Sequence, residues 1–396
     1  MNQITTIELL EYKPVILSSD RLSLDIGEDI WRNYSKQIKI EFPTPISNMC
    51  WKITSLGWVG RLKLNNGISL LLKPKVPIKN LFKMWEYAYR LNSFYLLEGL
   101  IECDKVEDFY NQLAMLLANK ILSRSSKGLY KSYKEVSEIL PYVRGNINIE
   151  YSIKSICSVS FKCDYEEQTT DIEDNKVLLY TTYTILRSGM CNEKVSKIVR
   201  RAYNSLQIFC SLLSFSGNQC IGKKYNRLNE DYRSMHAICR FFLNQVGPSY
   251  LIGNYDMLPF LVDMSRLFEL FVSEWLKIKL PKEFDVKAQE TVYIGNNEEK
   301  SINIDLVVYN KMTNKVEYVL DTKYKDPESP SQTDINQMIT YAITKECNKA
   351  ILVYPTEINN PFIWDIKNIK VSSLTFSLNN DIERNGKEFL EKLLSF

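Results

Sequence analysis

The pattern of apolar and polar positions divides the chain into three parts. Residues 1 to about 77 contain short β-branched or aromatic segments, including "NMCWKITSLGWVGRLKL" and "GISLLLKP", which glycine and Asn-Gly steps interrupt. Such punctuation is typical of strands joined by hairpin turns. Pro74 and Pro77 close the block. We therefore predict a β-rich domain over residues 1–77.

Residues 78–250 favour a mainly helical region. Apolar residues recur at i, i+3, i+4 and i+7 along "LFKMWEYAYRL", "EDFYNQLAMLLANKILSRS", "NKVLLYTTYTILRS" and "VSKIVRRAYNSLQIFCSLL". Arg144-Gly145 indicates a break between helices, with room for a strand after it. We interpret Lys197, Arg200 and Arg201 as a solvated helix face in preference to a DNA contact.

Residues 251–396 predict an α/β domain. The helix "MSRLFELFVSEWLKIKL" precedes three strand-like segments, "FDVKAQETVYI", "INIDLVVYN" and "KVEYVLDTKY". The helix "DINQMITYAITKE" and the short strand "KAILVYP" follow. An α-β-β-β-α-β order is typical of a mixed sheet with helices packed on it. The predicted fold class is therefore α+β and multidomain, which suits a chain of 396 residues.

Composition excludes several classes of function. The chain has 50 basic and 47 acidic residues, so no overall field favours nucleic acid and any DNA contact must be local. Its 9 cysteines form no CxxC pair, which argues against a zinc ribbon and a secreted disulfide framework. The sequence lacks a signal pattern and any apolar run near the ~18 residues of a membrane span. We expect a cytoplasmic protein with no membrane partner.

Two features that suggest chemistry are better explained without it. His236 is the only histidine, which rules out a zinc site of several histidines, and it lies within a helical apolar pattern typical of packing. The stretch "GNQCIGK" at Gly217–Lys223 has the spacing of a phosphate-binding loop. Lys224, however, occupies the position where a Ser or Thr hydroxyl should reach magnesium. We interpret it as a chance match, and expect any nucleotide hydrolysis to belong to another chain.

The strands of the last third carry a group of charged residues. Asp305 interrupts the segment "INIDLVV", which is otherwise apolar on both faces. Asp321 ends the next strand, and Lys323 shares its face because side chains alternate with period two. A turn near "YNKMTNK" would pair the two strands and bring Asp305 next to Asp321.

The flanking helices add two candidates. Glu269 lies in the preceding helix among apolar neighbours, and Gln337 lies three residues after Asp334, the predicted N-cap of the following helix. Converging carboxylates repel unless a cation lies between them, and their oxygens suit Mg²⁺ or Mn²⁺. Such a metal would activate a water for phosphodiester hydrolysis, and Lys323 could orient that water. The simpler alternative is a strand-end ion pair between Asp321 and Lys323.

These residues carry a resemblance to a known family. The order "IDLVVYN", "EYVLDTKYK", "DINQMITYA" and "AILVYP" resembles the PD-(D/E)XK nuclease core, specifically that of the McrC family. McrC proteins are nuclease subunits of McrBC-type, 5-methylcytosine-specific restriction systems. Further patches resemble this family in the same order over about residues 50 to 356: "GWVGRLKL" with "LLKPKV", "YVRGNIN", "DYEEQTTDIEDNKVL", "YNRLNEDY" and "DMSRLFELFV".

The resemblance implies roles for single residues. Asp305 corresponds to the Asp of the family's "PD", and Asp321 with Lys323 to its D-x-K. Glu269 corresponds to a helical Glu, and Gln337 to a helical Gln. Asp305, Asp321 and Glu269 would then bind the metal. Ile304 departs from the family, which usually has Pro there, but that Pro shapes the backbone and is not a ligand.

The resemblance also implies partners, which the β-rich domain of residues 1–77 would bind. A hexameric AAA+ GTPase of the McrB type would recognise the DNA, and this chain would stimulate its hydrolysis and cut double-stranded DNA. Cleavage of two strands would ask for paired copies. Two alternatives stay open: a catalytically inactive subunit that activates and bridges an AAA+ ring, and a stand-alone repair nuclease. The sequence does not specify the DNA site, the nucleotide, the stoichiometry or the stimulating residue.

Overall fold

The computed structural model describes residues 5–64, 68–89, 106–154, 160–245, 260–294, 300–325, 330–358 and 361–396. Contacts divide these residues into two compact units. The first unit holds the described residues up to 109 together with those from 260 onward, and the second holds residues 110–245. The described residues of the predicted domains 1–77 and 251–396 lie in the same compact unit. The division into three domains at residues 1–77, 78–250 and 251–396 remains a prediction.

The N-terminal segment forms the expected strands. Its elements are β1 (Thr5–Leu10), β2 (Pro14–Ser18), α1 (Leu24–Asn33), β3 (Ile38–Glu41), β4 (Cys50–Ser55), β5 (Trp58–Lys63), β6 (Ile68–Lys73) and α2 (Ile78–Ala88). Strands β2, β4 and β3 form an antiparallel sheet in that order. Helix α1 was not predicted; it buries Ile26 and Ile30, one turn apart, against the core around Trp51.

The second unit combines the predicted helices with a sheet. The segment contains α3 (Val106–Lys127), β7 (Ser132–Leu140), β8 (Asn146–Ile147), α4 (Ile149–Lys154), β9 (Phe161–Thr169), α5 (Glu173–Ser188), α6 (Glu193–Gln207) and α7 (Glu230–Asn244). The antiparallel sheet β7-β9-β8 was not predicted beyond a possible strand after Gly145. Strand β7 exposes most of its side chains and β9 leaves most of its side chains partly buried, so neither strand shows a clear apolar alternation.

One predicted helix boundary is wrong. The helical pattern continued through "IFCSLL", but α6 ends at Gln207. Ile208 and Phe209 are exposed, so no packed face supports a further helical turn there. Apolar periodicity alone extended the prediction beyond the buried stripe of Val195, Val199, Ala202 and Leu206.

The C-terminal segment forms a mixed sheet flanked by helices. It contains β10 (Phe260–Asp263), α8 (Met264–Lys279), β11 (Phe284–Ile294), β12 (Lys300–Asn310), β13 (Lys315–Thr322), α9 (Gln332–Thr344), β14 (Lys349–Tyr354), β15 (Ile363–Ile366), β16 (Ile369–Thr375) and α10 (Ile382–Ser395). The sheet order is β11-β12-β13-β14-β16-β15. The first three strands are antiparallel, and β13, β14 and β16 are parallel. The predicted order from α8 to β14 is confirmed; β15, β16 and α10 were not predicted.

The N-terminal and C-terminal segments of the first unit are joined directly. Strand β10 pairs with β5 and completes a sheet in the order β1-β6-β5-β10. Helix α2 packs on α8, where the rings of Tyr87 and Phe271 lie 5.8 Å apart. Asn80 donates its side-chain amide to the carbonyl of Leu378 at 2.7 Å. The N-terminal β-rich segment therefore supports the helix and strands that carry the candidate site.

No helix in the part of the chain that the structure describes has the length and apolar character needed to cross a membrane.

Candidate active site

The β12–β13 hairpin brings Asp305 and Asp321 to neighbouring positions. The two strands run antiparallel, and Leu306 lies opposite Leu320 in the register. Asp305 and Asp321 come next on their strands, so their side chains project from the same face of the sheet. The turn that joins the strands lies at residues 311–314, within the predicted segment.

The hairpin is buried around these carboxyl groups, which makes their charges costly. Val307 and Val319, the next pair on the same face, are fully buried, Asp321 is only 1% exposed, and Asp305 is partly buried. Burial, and then the charge of Asp305, raise the pKa of Asp321 to about 7. Burial also raises the pKa of Asp305, against the effect of the Thr322 amide, which donates to Asp305 Oδ2 at 3.2 Å. The metal-free site therefore disfavours full ionisation of the pair.

Lys323 is the cation of this site. Its Nζ lies 2.7 Å from Asp321 Oδ2 and 3.8 Å from Asp334 Oδ1. The ammonium and the Asp321 carboxylate therefore form a close ion pair inside the protein. Burial alone would lower the pKa of Lys323, but the charge of Asp321 raises it. Lys323 is therefore held in its ammonium form beside the carboxyl pair.

Helix α9 supplies Gln337 and fixes its orientation. Gln337 Oε1 accepts a hydrogen bond from Lys323 Nζ at 3.1 Å, and Gln337 Nε2 donates to the Tyr341 hydroxyl at 2.5 Å. Tyr341 in turn donates to the carbonyl of Asn303 at 2.8 Å, close to Asp305 along β12. Gln337 therefore links Lys323 to β12, the strand that carries Asp305.

The predicted N-cap of α9 is wrong. Ser331 is the N-cap, and its hydroxyl accepts from the Asp334 amide at 3.1 Å. Asp334 is the third helical residue; its carboxylate accepts from the Ser331 amide and pairs with Lys325 Nζ at 2.5 Å. This reciprocal capping begins the helix three residues earlier than predicted. It also places Asp334 beside Lys323, a role that the sequence did not indicate.

Glu269 approaches the carboxyl pair from α8. Asp263 caps this helix by accepting from the amides of Ser265 and Arg266 at 3.0 and 3.1 Å. Burial, and then the charge of Asp305, raise the pKa of Glu269 to about 7. Its carboxyl accepts a short hydrogen bond from Gln289 Nε2. The structure therefore brings all five predicted residues into one neighbourhood.

Gln289 was missed by the sequence analysis. It lies on β11 between Ala288, opposite Leu306, and Glu290, opposite Ile304, which places it across from Asp305. Its φ of 52° is in the left-handed region, which is uncommon for a side-chain-bearing residue in a strand. Such backbone conformations concentrate at functional sites. No signal in "FDVKAQETVYI" marks this position.

The residues present fit a hard divalent cation. In the described residues, no group of three Asp, Glu, His or Cys side chains is placed so that it could hold a metal ion. Asp305, Asp321 and Glu269 nevertheless offer oxygen donors. The pKa of each of these carboxyl groups is raised, and burial is the largest cause. A divalent cation would compensate these charges, and oxygen donors suit Mg²⁺ or Mn²⁺.

Two sequence features stay outside the site, as predicted. Residues Gly217–Cys220 form a short 3₁₀ helix, and Lys223 pairs with Glu173 and Asp174 at 2.9 and 2.8 Å. His236 is buried, and its ring nitrogens contact the Tyr225 hydroxyl and the Asp174 carbonyl at 2.9 and 3.0 Å. Both features have the contacts of structural residues.

Comparison with known proteins agrees with the resemblance in the sequence. The family described as McrBC 5-methylcytosine restriction system component matches residues 53–355. The type IV methyl-directed restriction enzyme EcoKMcrBC of Escherichia coli K12 is 23% identical over 216 residues. That match covers 52% of this chain and 61% of the relative, so the chain spans less than two thirds of the relative's length.

A solved structure has a similar fold. It is a chain of the half-complex from a tetradecameric assembly of Thermococcus gammatolerans McrB AAA+ hexamers with bound McrC. The TM-score is 0.55 at 17% identity, and the match covers 98% of this chain and 100% of the other. At this identity the likeness concerns the fold alone.

Proposed function

Because the chain belongs to the family of McrBC 5-methylcytosine restriction system components, we propose that it is the nuclease subunit of such a system. It hydrolyses phosphodiester bonds of double-stranded DNA with Mg²⁺ or Mn²⁺, and it stimulates nucleotide hydrolysis by a McrB-type AAA+ partner. The observation that carries the proposal is the buried pair of Asp305 and Asp321 with the Lys323 ammonium 2.7 Å from Asp321.

The carboxylates of Asp305, Asp321 and Glu269 would hold the metal. The bound ion would supply a water of lowered pKa and neutralise charge on the phosphate. Their backbone is held by β12, by β13 and by a capped helix. Sites built on such elements are held more exactly than sites on loops.

Lys323 would stabilise the negative charge that develops on the phosphate and orient the attacking water. Its ammonium is already charged and fixed, because Asp321 raises its pKa and Gln337 Oε1 accepts one of its hydrogens. Gln337 is fixed by Tyr341 and, through it, by Asn303. This chain of contacts reduces the reorganisation needed during the reaction.

We further propose that α8, strands β11 to β14 and α9 are a PD-(D/E)XK core. Supporting it are the mixed strand order and the placement of the two Asp residues on adjacent antiparallel strands. Ile304, in place of the family's usual Pro, is fully buried and lies opposite Glu290 in the sheet. Ile304 keeps its place in the β11–β12 pairing, so we expect the departure to preserve activity.

The proposed partner is a hexameric AAA+ protein of the McrB type, which recognises the DNA. Support comes from family membership and from the solved neighbour, an assembly of McrB AAA+ hexamers with bound McrC. The rejected phosphate-binding loop fits this division of labour, because Lys223 is occupied by two carboxylates. Cutting both strands would ask for two copies of this chain in the complex.

The test is DNA cleavage by the purified chain with its McrB-type partner, Mg²⁺ and nucleotide. Methylated and unmethylated plasmids are compared, with Asp321→Ala as the inactive control. The proposal expects cutting that needs the partner, Mg²⁺ and Asp321. If wild type does not cut but accelerates hydrolysis by the partner, the chain is a bridging activator and the nuclease assignment is wrong.

A further inference from the structure

Tyr324 follows Lys323 directly and is held by two consecutive residues of the N-terminal segment. Its hydroxyl donates to Glu11 Oε2 at 3.1 Å, and its carbonyl accepts from the Tyr12 hydroxyl at 3.2 Å. Glu11 and Tyr12 precede Tyr324 by more than 300 residues in the chain. The backbone that carries Lys323 is therefore attached to the end of β1.

Glu11 is a buried charge built into this contact. It is 2% exposed, and its Oε2 also accepts from the Lys75 amide at 2.8 Å. The Lys75 ammonium lies over the Tyr324 and Tyr12 rings, 4.7 and 5.5 Å from their centroids. A buried carboxylate with charged and hydrogen-bonding neighbours fixes their geometry, because any displacement leaves a buried charge without partners.

Gly57 leaves room for the Tyr12 hydroxyl. A Cβ at position 57 would lie 2.3 Å from that oxygen, and Gly57 has a φ of +76°, which side-chain-bearing residues rarely adopt. The carbonyl of Gly57 accepts from the Met264 amide at 3.0 Å, at the start of α8. The turn between β4 and β5 is thus shaped around Tyr12 and also contacts the helix that carries Glu269.

We propose that Glu11, Tyr12 and Tyr324 form a clamp of positioning residues that sets the location of the Lys323 ammonium for cleavage. The backbone amide of Lys323 itself donates to the Val353 carbonyl at 2.9 Å, which fixes this part of the backbone to β14. With Tyr324 held as well, the side chain reaches both Asp321 Oδ2 and Gln337 Oε1. This inference rests on the proposed nuclease function of the same site.

Tyr324→Phe tests the clamp. The substitution removes the hydroxyl that Glu11 accepts from and keeps the ring, which packs 6.0 Å from Phe268 and under Lys75. We expect the single-turnover cleavage rate at saturating DNA and Mg²⁺ to fall about tenfold, because small misplacements of reacting groups are costly. DNA affinity and the partner's nucleotide hydrolysis should stay within about twofold of wild type, since the clamp acts only on the chemical step. Glu11→Gln should show the same selective loss.

Tyr318→Phe is the matched control. Tyr318 is a buried tyrosine in the middle of β13, and the Lys349 ammonium lies over its ring. The thermal midpoints of both variants are measured, and Tyr318→Phe should leave the cleavage rate unchanged. Tyr12→Phe guards against misfolding, because Tyr12 is 41% exposed. It removes the hydroxyl that donates to the Tyr324 carbonyl and should slow cleavage by about threefold.

The outcomes separate the clamp from the nuclease function. Wild-type cleavage with full activity of Tyr324→Phe and Tyr12→Phe overturns the clamp alone. An equal rate loss in Tyr318→Phe also overturns it, because the loss would then report general destabilisation. Failure of wild type to cleave in the presence of the partner and Mg²⁺ overturns the proposed function itself.

Discussion

Both compact units contain buried charges, but the charges are arranged differently. In the second unit, Lys223 lies between Glu173 and Asp174, and His236 is hydrogen-bonded through both ring nitrogens. Burial alone would lower the pKa of Lys223, but its bonds to these carboxylates raise it. In the first unit, Asp305 and Asp321 share one buried face, and the pKa of Asp321 is raised to about 7 by burial and by Asp305.

The difference distinguishes a structural network from a candidate active site. A network in which each buried polar or charged group has a hydrogen-bond or ion-pair partner stabilises the fold. Two neighbouring carboxyls that share a single ammonium, that of Lys323, still oppose folding unless a further cation or a proton is added. The first unit retains this unfavourable arrangement, which is expected where a metal binds. The predictions below test whether the two clusters differ in this way.

The largest expected effect is the loss of cleavage in Lys323→Met. Removing an ammonium that stabilises the developing charge should slow cleavage about 10²–10³-fold. Binding to the AAA+ partner and the partner's nucleotide hydrolysis should be unchanged. The measurement is single-turnover cleavage of plasmid DNA. Lys349→Met is the control, because Lys349 forms a similar ion pair with Glu317 at 3.0 Å elsewhere in the same sheet. Equal rates for the two variants would remove Lys323 from the mechanism.

Lys223→Met should lower the stability of the fold and leave the cleavage rate unchanged. It leaves Asp174 half-buried without its counter-charge, which should lower the free energy of unfolding by about 3 kcal/mol. This loss is near the lower end of the range for breaking a buried ion pair, because the second carboxylate, that of Glu173, is 58% exposed and stays hydrated. Urea titration gives the free energy, and the cleavage assay should show wild-type rates for folded protein. Loss of cleavage without loss of stability would contradict the assignment of Lys223 to a structural network.

Asp321→Asn should stabilise the metal-free protein. The pKa of Asp321 is raised to about 7, so the folded state binds this proton more tightly than the unfolded chain. Wild-type stability is therefore lost as the pH rises from the usual carboxyl range through about 7. We expect Asp321→Asn to be more stable by about 2 kcal/mol at pH near 8, with little difference at pH near 4. Urea titration with a chelator at both pH values measures this. A variant that is destabilised at pH near 8 would contradict the interpretation of Asp321 as a charge that Lys323 compensates only in part.

His236→Gln should have the smallest effect. Glutamine can keep a polar contact with Tyr225 or Asp174, so the free energy of unfolding should fall by about 1 kcal/mol. DNA cleavage and its pH dependence should match wild type. A changed pH profile would give the histidine a role in the chemistry, which its burial and its two contacts argue against.

Local sequence patterns predicted the centre of the site because its geometry is local. Period-two alternation placed Lys323 on the face of Asp321, and a short turn placed Asp305 opposite Asp321. The family resemblance identified Glu269 and Gln337, and the structure brings both to the pair. Their placement depends on how α8 and α9 pack on the sheet, which residue periodicity does not encode.

The missed features depend on contacts between distant segments or on unusual backbone. Strand β10 pairs with β5, about 200 residues earlier in the sequence, and Tyr324 meets Glu11 and Tyr12 over a longer separation. Gln289 adopts a left-handed conformation that its residue type does not favour. Asp334 resembled an N-cap, but Ser331 three residues earlier forms a capping box with it.

Metal binding tests the central claim most directly, because it requires neither the partner nor DNA. Mn²⁺ is titrated into wild type, Asp321→Asn and the control Asp365→Asn, and the free ion is followed by electron paramagnetic resonance. Asp365 lies on β15, a different strand of the same sheet. We predict binding to wild type and Asp365→Asn, with affinity at least about tenfold weaker for Asp321→Asn. Equal Mn²⁺ affinity for all three proteins would show that Asp305 and Asp321 do not form the metal centre.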